Sequence, residues 1–389
     1  MFRLSRPSTK YLLGCGLALF APLPASAADT VVYSFTGGSD GGRPVAGLIR
    51  DNQNNLYGTT TVGGANSAGS VFEIAASGAE TVLHSFGGGG DGEAPDAGLI
   101  EDSNGNFYGT TSAGGAHGFG TVFELAADRT ESVLYSFTGG SDGGIPVAGL
   151  VMDSAGDLYG TASYGGAQGQ GYYGVVFKLA PNGPETVLHS FTGGNDGGDP
   201  VAGLLLKGRN LYGTTYKGGA NGYGTVFAVT TTGSAETVLY SFCSQTNCSD
   251  GAFPEAGVVK DSAGNFYGAT SGGGGIDGYG TVYKLPPNGT ETVVYSFSGG
   301  GDGNYPEAGL IRDGAGNLYG TTYKGGTDNF GTVFEISSGG TETMRYSFTA
   351  GSDGAYCLAG LLLGAKGYLY GTTLQGGTDN AGVVFKLKK

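Results

Sequence analysis

The chain has 389 residues, of which 82 are glycine and 24 are tyrosine, and it contains no tryptophan. Glycine at this level without a Gly-x-y period excludes a collagen-like chain, while 39% hydrophobic residues are enough for a folded core. A formal charge of −14 argues against phosphate backbones and anionic lipid as partners, so neither nucleic acid nor a membrane surface is expected to bind.

The first 27 residues have the pattern of a cleavable signal peptide. Three basic residues precede an apolar run from Tyr11 to Leu23, and Ala25-Ser26-Ala27 offers the small residues that signal peptidase requires. Cleavage after Ala27 is therefore predicted, and it would remove Arg3, Arg6 and Lys10 and change the formal charge from −14 to −17. The expected location is extracellular or periplasmic, with no membrane insertion after cleavage.

Two other interpretations of this segment are weaker. A transmembrane anchor would need a longer run without Pro22 and Pro24. A lipoprotein cleavage box at Cys15 would need more apolar sequence before the cysteine.

Three cysteines remain after cleavage. Cys243 and Cys248 lie five positions apart in a polar loop, and in an oxidising compartment this spacing predicts a small disulfide. A zinc site would need two further ligands nearby, and the sequence offers none. Cys357 stands where other copies of the repeat have proline, which predicts a buried thiol.

A repeat of about 51 residues fills the chain after the signal segment. A Ser-Phe dipeptide ends one segment of each copy, at Phe35, Phe86, Phe137, Phe191, Phe242, Phe297 and Phe348. A Tyr-Gly dipeptide recurs in step with it, at Tyr57, Tyr108, Tyr159, Tyr212, Tyr267, Tyr319 and Tyr370. The spacing of 51 to 55 residues indicates seven copies.

Each copy contains four strand patterns. The first is a small apolar run such as Ala46 to Ile49, and the second is Leu56 to Thr60. The third is represented by Gly120 to Leu125 and the fourth by Glu131 to Phe137. β-branched and aromatic residues dominate the later patterns, and Gly, Asn and Asp fill the intervening turns, as half-buried strands and tight turns require.

Four strands in about 50 residues, repeated seven times, predict an all-β fold, a seven-bladed β-propeller with four antiparallel strands per blade. The predicted domain covers residues 28–389. A β-helix is the alternative, although its coils are usually shorter. The domain opens on a fourth-type strand, Val31 to Phe35, and ends on a third-type strand, Gly382 to Leu387, so the N-terminal strand is expected to complete the last blade.

This strand order predicts two unlike faces. Connections from fourth to first strands and from second to third strands share one rim, and the two short turns share the other. The connections from Phe242 to Pro254 and from Tyr159 to Phe177 each gain three residues on the first rim. Because insertions in repeat proteins tend to map to the binding face, we expect any ligand there.

The copies read GNLYGTTxxGGxxxxGTVFEL followed by ETVLYSFTGGxDGxxPxAGL, and they resemble the Gloeobacter and Verrucomicrobia (GloVer) extracellular tandem repeat over all seven copies. The resemblance implies an exported bacterial protein with no defined activity. Relatives of this kind carry C-terminal anchors, and none follows Lys389, which leaves surface attachment open. The segment PEAGLIRDGAGNLYGTT is more weakly similar to NHL-type and streptogramin-lyase-like propellers.

An Asp-Gly pair occurs once per copy, at Asp40, Asp91, Asp142, Asp196, Asp250, Asp302 and Asp353. Such a ring could attract cations, but one Asp per loop is far fewer ligands than calcium requires. A turn role for these residues is favoured. A second Asp series is interpreted as turn chemistry between the first two strands, at Asp51, Asp102, Asp153, Asp261 and Asp313.

Two tyrosine-lysine pairs depart from the repeat in the long loops, and they are the best individual ligand-binding candidates: Tyr216, Lys217, Tyr323 and Lys324. Aromatic residues also precede the third strand, at Phe119, Tyr173, Tyr223, Tyr279 and Phe330. These rings could stack on sugars, but packing between blades explains them as well.

Catalytic groups are scarce. Of the three histidines, His84 and His189 occupy repeat positions otherwise filled by tyrosine. His117 alone is a weak candidate base, as a streptogramin-lyase-like mechanism would need. No metal or cofactor is predicted.

The sequence thus favours a binding or structural module that recognises extracellular glycan or protein through the long-loop face and acts as a monomer. A propeller enzyme of lyase or lactonase type and a purely structural protein are the alternatives.

Overall fold

The computed structural model describes residues 30–167, 172–181, 183–233 and 236–389. The predicted signal peptide lies outside these ranges. The described chain forms seven four-stranded antiparallel sheets, and in each sheet the strands are hydrogen-bonded in the order first, second, third, fourth. The protein is a seven-bladed all-β propeller, as the repeat predicts.

The strands of each type recur along the chain. The first strands are β2 (Ile49–Arg50), β6 (Ile100–Glu101), β10 (Val151–Met152), β14 (Leu205–Lys207), β18 (Val259–Lys260), β22 (Ile311–Arg312) and β26 (Leu362–Leu363). The second strands are β3 (Leu56–Thr60), β7 (Phe107–Thr111), β11 (Leu158–Ala162), β15 (Asn210–Thr215), β19 (Phe266–Thr270), β23 (Leu318–Thr322) and β27 (Tyr368–Thr373).

The third strands are β4 (Ser70–Ile74), β8 (Thr121–Leu125), β12 (Val175–Leu179), β16 (Thr225–Thr230), β20 (Thr281–Leu285), β24 (Thr332–Ile336) and β28 (Val383–Lys388). The fourth strands are β5 (Glu80–Ser85), β9 (Glu131–Ser136), β13 (Glu185–Ser190), β17 (Thr237–Ser241), β21 (Thr292–Ser296), β25 (Glu342–Ser347) and β1 (Thr30–Ser34). Two short 3₁₀ turns cover Thr246–Cys248 and Ala365–Gly367. No described helix is long and apolar enough to span a membrane.

The N-terminal strand closes the ring. β1 pairs antiparallel with β28, from Thr30 opposite Lys386 to Ser34 opposite Val383, and the last sheet has the order β1-β28-β27-β26. Because of this closure, the last blade has four paired strands like the other six. The array therefore has no incomplete blade at its end. The predicted closure is confirmed.

The first strands are shorter than predicted. In blade 1 only Ile49 and Arg50 pair as a strand, whereas the sequence indicated Ala46 to Ile49. The residues before Ile49 bond to the neighbouring blade instead: the Thr372 hydroxyl of blade 7 donates to the carbonyl of Ala46 at 3.2 Å. Equivalent hydroxyls bridge five other junctions, and Ala269 takes the position of the seventh hydroxyl.

Glycine follows each of these alanines, and the glycines of successive blades approach one another. A Cβ on Gly98 would lie 3.1 Å from the carbonyl oxygen of Gly47, and one on Gly257 would lie 2.6 Å from that of Gly203. The first strands therefore surround a narrow axis, where a larger residue would push neighbouring blades apart.

Phenylalanines join the blades farther out. The ring of each Ser-Phe dipeptide meets an aromatic ring on the third strand of the next blade edge-on, as Phe86 meets Phe123 with 5.1 Å between centroids. Six blades present phenylalanine at the third-strand position, and blade 5 presents Tyr283. These contacts give the ring one continuous series of aromatic junctions.

Tyr283 is the one departure in this series. Its side chain is fully buried, and its hydroxyl has no hydrogen-bond partner among the described residues. An unsatisfied buried hydroxyl costs about 1–3 kcal/mol, so we expect Tyr283→Phe to raise the free energy of unfolding by about 1–2 kcal/mol in denaturant titrations. Phe334→Tyr, the reverse change one blade on, should lower it, and a destabilised Tyr283→Phe variant would contradict the argument.

Candidate binding site at the long-loop rim

The two kinds of long connection meet on one rim, as predicted. In each blade the loop entering the first strand pairs briefly with the loop leaving the second strand, for example Gly198 with Lys217 and Asn304 with Lys324. These short bridges fix the loop backbone, and the side chains at the rim are therefore held by the same framework in every blade.

The Asp-Gly carboxylates bond to their own loops. Asp40 accepts hydrogen bonds from the amide of Thr36 at 2.9 Å and from the hydroxyl of Tyr33 at 3.0 Å. Asp250 is fully buried and accepts from Ser244 and Tyr240. At Asp142 burial acts to raise the pKa, but hydrogen bonds from Thr138 and Tyr135 outweigh it and hold the pKa below its usual range. These contacts stabilise the loops.

The second Asp series likewise closes the turns between first and second strands. Asp51 accepts from the amides of Gln53 and Asn55 at 2.8 Å and from the hydroxyl of Tyr57 at 3.1 Å. These turns lie on the face opposite the long loops.

The residue before the proline of the repeat, or before Cys357 in the last copy, has a left-handed backbone. Its φ lies between 54° and 60° at Arg43, Ala94, Ile145, Asp199, Phe253, Tyr305 and Tyr356. Such a φ is uncommon for bulky residues and is strained. The amide of each residue donates to the neighbouring blade, for instance from Phe253 to the carbonyl of Tyr223 at 2.9 Å, and this bond holds the strained conformation.

The carbonyls that accept these bonds belong to the residues that precede the third strands. Five of these residues are aromatic, and the rings of Phe119, Tyr173 and Tyr279 cover loop glycines. For example, a Cβ on Gly193 would lie 2.4 Å from the ring of Tyr173. Tyr173 and Tyr223 keep 37% and 38% of their surface exposed, so these rings are packed on one side only.

A cavity of about 400 Å³ opens at the long-loop ends of blades 4, 5 and 6. Its lining combines aromatic, acidic, hydroxyl and basic side chains with two glycines: Tyr216, Phe253, Glu255, Ser271, Gly272, Gly278, Tyr305, Glu307, Tyr323 and Lys324. The rings of Tyr216 and Phe253 are 5.1 Å apart, which makes one wall of the cavity a continuous aromatic surface.

The two carboxylates interact within this cavity. Burial and the neighbouring Glu255 raise the pKa of Glu307 to about 7, and Lys324 partly offsets them. Burial also raises the pKa of Glu255, against the effect of the Ser271 hydroxyl. Near neutral pH, Glu307 is therefore present in both its acid and its ionised form and can either donate or accept a hydrogen bond.

A comparison with blade 2 shows why the carboxylate of Glu307 is available. Asp96 occupies the position of Glu307, and it accepts hydrogen bonds from Thr61 at 3.1 Å and from Ser112 at 2.6 Å. In blade 6 the position of Ser112 is taken by Tyr323, and no described side chain donates to Glu307. Glu307 thus faces the cavity without the partners that occupy Asp96.

Three of the four residues singled out from the sequence meet here. Tyr216, Tyr323 and Lys324 line the cavity, and the ammonium of Lys324 lies 5.7 Å from the Tyr323 centroid. Lys217 instead forms an ion pair with Asp199 at 2.8 Å, with 56% of its side chain exposed. Burial and the charge of Glu255 raise the pKa of Tyr216.

The histidines do not contribute to this cavity. His117 is exposed in a blade 2 loop, away from the lining residues. The ring nitrogens of His84 and His189 lie 3.7 Å and 3.3 Å from Asp91 and Asp196, where other blades place a tyrosine hydroxyl. Burial is the largest influence on both histidines and lowers their pKa.

Cys243 and Cys248 form a disulfide in the loop that enters blade 5, and Cys357 is fully buried. Within the residues that the structure describes, no group of three or more His, Cys, Asp or Glu side chains is arranged to hold a metal ion.

The Gloeobacter/Verrucomicrobia repeat family matches residues 18–173, 156–314 and 300–389. The chain belongs to this family. No curated protein matches it.

Several solved structures share the propeller fold with this chain, although their sequence identity to it is low. The extracellular domain of a proposed one-component system of B. thetaiotaomicron is 10% identical with a TM-score of 0.58, and the match covers 88% of this chain and 38% of that chain. A proposed 6-phosphogluconolactonase from Bacteroides uniformis is 15% identical with a TM-score of 0.53, covering 82% and 88%. A puromycin-hydrolyzing peptidase from Mycobacterium tuberculosis is 10% identical with a TM-score of 0.51, covering 79% and 45%.

The sequence did not point to the two acidic residues of the cavity or to two of its aromatic residues. Glu255 and Glu307 stand one position after the proline, and Phe253 and Tyr305 stand one position before it. Both positions change from copy to copy between the invariant Asp-Gly and Ala-Gly pairs. That variation was the available signal.

Proposed function

We propose that this protein is an extracellular binding module that recognises a neutral glycan in the cavity between blades 4 and 6. One observation carries the proposal: Tyr216, Phe253, Tyr305 and Tyr323 share a cavity of about 400 Å³ with two carboxylates. Small-ligand sites generally combine apolar or aromatic walls with a few polar groups in cavities of roughly 300–1,000 Å³.

The chemistry of the lining matches that of a sugar. Aromatic rings offer flat apolar surface for the C–H faces of a pyranose, and tyrosine does so at low entropic cost. Glu255, Glu307 and Ser271 can exchange hydrogen bonds with hydroxyl groups, and Lys324 donates. This mixture of opposite charges favours a neutral polyhydroxylated ligand over a strongly charged one.

A sugar also suits the size of the cavity better than a protein surface. Stable protein interfaces cover roughly 800 Å² per partner, which exceeds what this recess alone can offer. The predicted export of the chain is consistent with a ligand outside the cytoplasm. The similar lactonase and peptidase structures share the fold at 15% identity or less and support no transfer of activity.

The test is a glycan array probed with the chain from Ala28 onwards, followed by calorimetry on the best ligand. We expect Tyr323→Ala and Tyr216→Ala each to weaken binding by about 5–10-fold, because each removes a stacking surface. Tyr172→Ala is the matched control, since this ring lies on the same rim outside the cavity, 61% exposed and stacked 4.8 Å from Tyr164.

Two outcomes would overturn the proposal. The first is an array without any bound glycan, and turnover in an enzymatic screen would then favour the lyase or lactonase alternative. The second is a loss of binding in Tyr172→Ala with normal binding in both cavity variants, which would place the ligand on blade 3.

A further inference from the structure

A second cavity, of about 450 Å³, opens on the opposite face of the ring. Its aliphatic lining comes from the first strands of four successive blades and includes Leu205, Val259, Ile311 and Leu362. These side chains are only half-buried, so the structure leaves apolar surface open at this mouth of the propeller axis. We call this cavity the short-turn mouth.

Three cations line the same mouth: Lys207, Lys260 and Arg312. None of them forms an ion pair with a carboxylate in the part of the chain that the structure describes. The chain has 19 basic and 33 acidic residues, so three neighbouring unpaired cations at one mouth are unexpected. The carboxylates of Asp51 and Glu101 line a separate cavity between blades 1 and 2.

Aromatic rings hold two of these cations in place. The ammonium of Lys260 lies 4.5 Å from the centroid of Tyr212 and 4.4 Å from that of Phe266, and the Arg312 guanidinium lies 5.9 Å from that of Tyr267. Cation–π contacts orient a cation without neutralising it. Lys260 and Arg312 are therefore held beside the aliphatic surface without a carboxylate partner among the described residues.

From this geometry we propose that the short-turn mouth binds an anionic amphiphile, specifically a long-chain carboxylate. Its hydrocarbon chain would lie along the aliphatic side chains of the first strands, where burial of apolar surface drives binding. Its carboxylate would bind Lys260 and Arg312, which supply charge-assisted hydrogen bonds. The site is separate from the glycan cavity and does not depend on it.

Calorimetric titration of the chain with dodecanoate, below its micelle concentration, tests the proposal. We expect dodecanoate to bind, butyrate to bind at least about 10-fold more weakly, and dodecyltrimethylammonium not to bind. Lys260→Gln and Arg312→Gln should each weaken dodecanoate binding by about 10-fold, and Lys260→Arg should retain most of it. Ile311→Asn should also weaken binding, with its melting temperature measured as a check on folding.

Lys366→Gln is the matched control, because Lys366 is exposed on the same face and does not line the mouth. Equal binding of the cationic amphiphile would overturn the proposed charge recognition. Equal weakening in Lys366→Gln would indicate a general charge effect and overturn the site. Weakening in Lys260→Gln without any in Arg312→Gln and Ile311→Asn would place the ligand in the adjoining cleft beside Pro286, which also overturns the proposal. Glycan binding should be unchanged in Lys260→Gln.

Discussion

Gly109→Ala is expected to lower the free energy of unfolding by about 2–3 kcal/mol, the upper range for overpacking a core. A Cβ at Gly109 would lie 2.6 Å from Cζ of Phe123 and 3.1 Å from a methyl of Leu99. The Phe123 ring cannot retreat freely, because on its other side it meets Phe86 of the preceding blade. Denaturant titration with linear extrapolation measures the loss.

Gly90→Ala is the control for this substitution. Gly90 is exposed, and no atom lies within 4 Å of the position that its Cβ would take. The free energy of unfolding of the Gly90→Ala variant should stay within about 0.5 kcal/mol of that of the parent chain. Phe123→Leu should partly rescue Gly109→Ala in a double-mutant cycle. Equal stability of the Gly109→Ala and Gly90→Ala variants would show that the close approach does not explain the Tyr-Gly dipeptide.

This contact explains why the repeat was so informative about the fold. Tyrosine before glycine recurs because the tyrosine hydroxyl bonds the turn and the glycine admits the third-strand ring, as Tyr57 and Gly58 illustrate. Both requirements come from within one blade, so they recur with the period of the repeat. Strand types, blade number and ring closure could all be predicted from that regularity.

The cavity could not be predicted in the same way. Glu255 and Tyr305 belong to different copies, and each stands in a position that looks like ordinary loop variation when its copy is considered alone. Their convergence depends on the left-handed backbone before proline and on the packing of adjacent blades. Tyr216 and Tyr323 were found because they depart from the repeat. Glu255 and Glu307 were missed because each stands inside the proline-containing motif, which is part of the regular repeat.

A second recurring residue has an effect that only the structure reveals. A glutamate begins the fourth-strand segment of six blades, at Glu80, Glu131, Glu185, Glu236, Glu291 and Glu342. Each has a buried carboxylate oxygen without a hydrogen-bond partner among the described residues. The pKa of each glutamate is raised to about 7, mainly by burial. The negative charge of an Asp-Gly aspartate, which lies beside the outer strand of the neighbouring blade, adds to this effect.

These glutamates should make the ring less stable as pH rises from about 4.5 to above 7. A carboxyl whose pKa is raised by folding keeps its proton in the folded state after the unfolded chain has released it, so its stabilisation is complete at low pH and is lost through the folded pKa. Glu185→Gln imitates the protonated form of the glutamate. We expect this substitution to raise the free energy of unfolding by about 1 kcal/mol at about pH 8.5, after discounting for solvent screening, and to change it little at about pH 5.

Combining Glu185→Gln with Glu131→Gln and Glu236→Gln should enlarge the difference between the two pH values. Glu93→Gln, at an exposed position, should not produce such a difference. Because His84 and His189 have lowered pKa values and favour folding as pH rises, the comparison is made between variant and parent at each pH. A Glu185→Gln variant with the same gain at both pH values would show that packing, and not the release of a proton at the blade junction, is responsible.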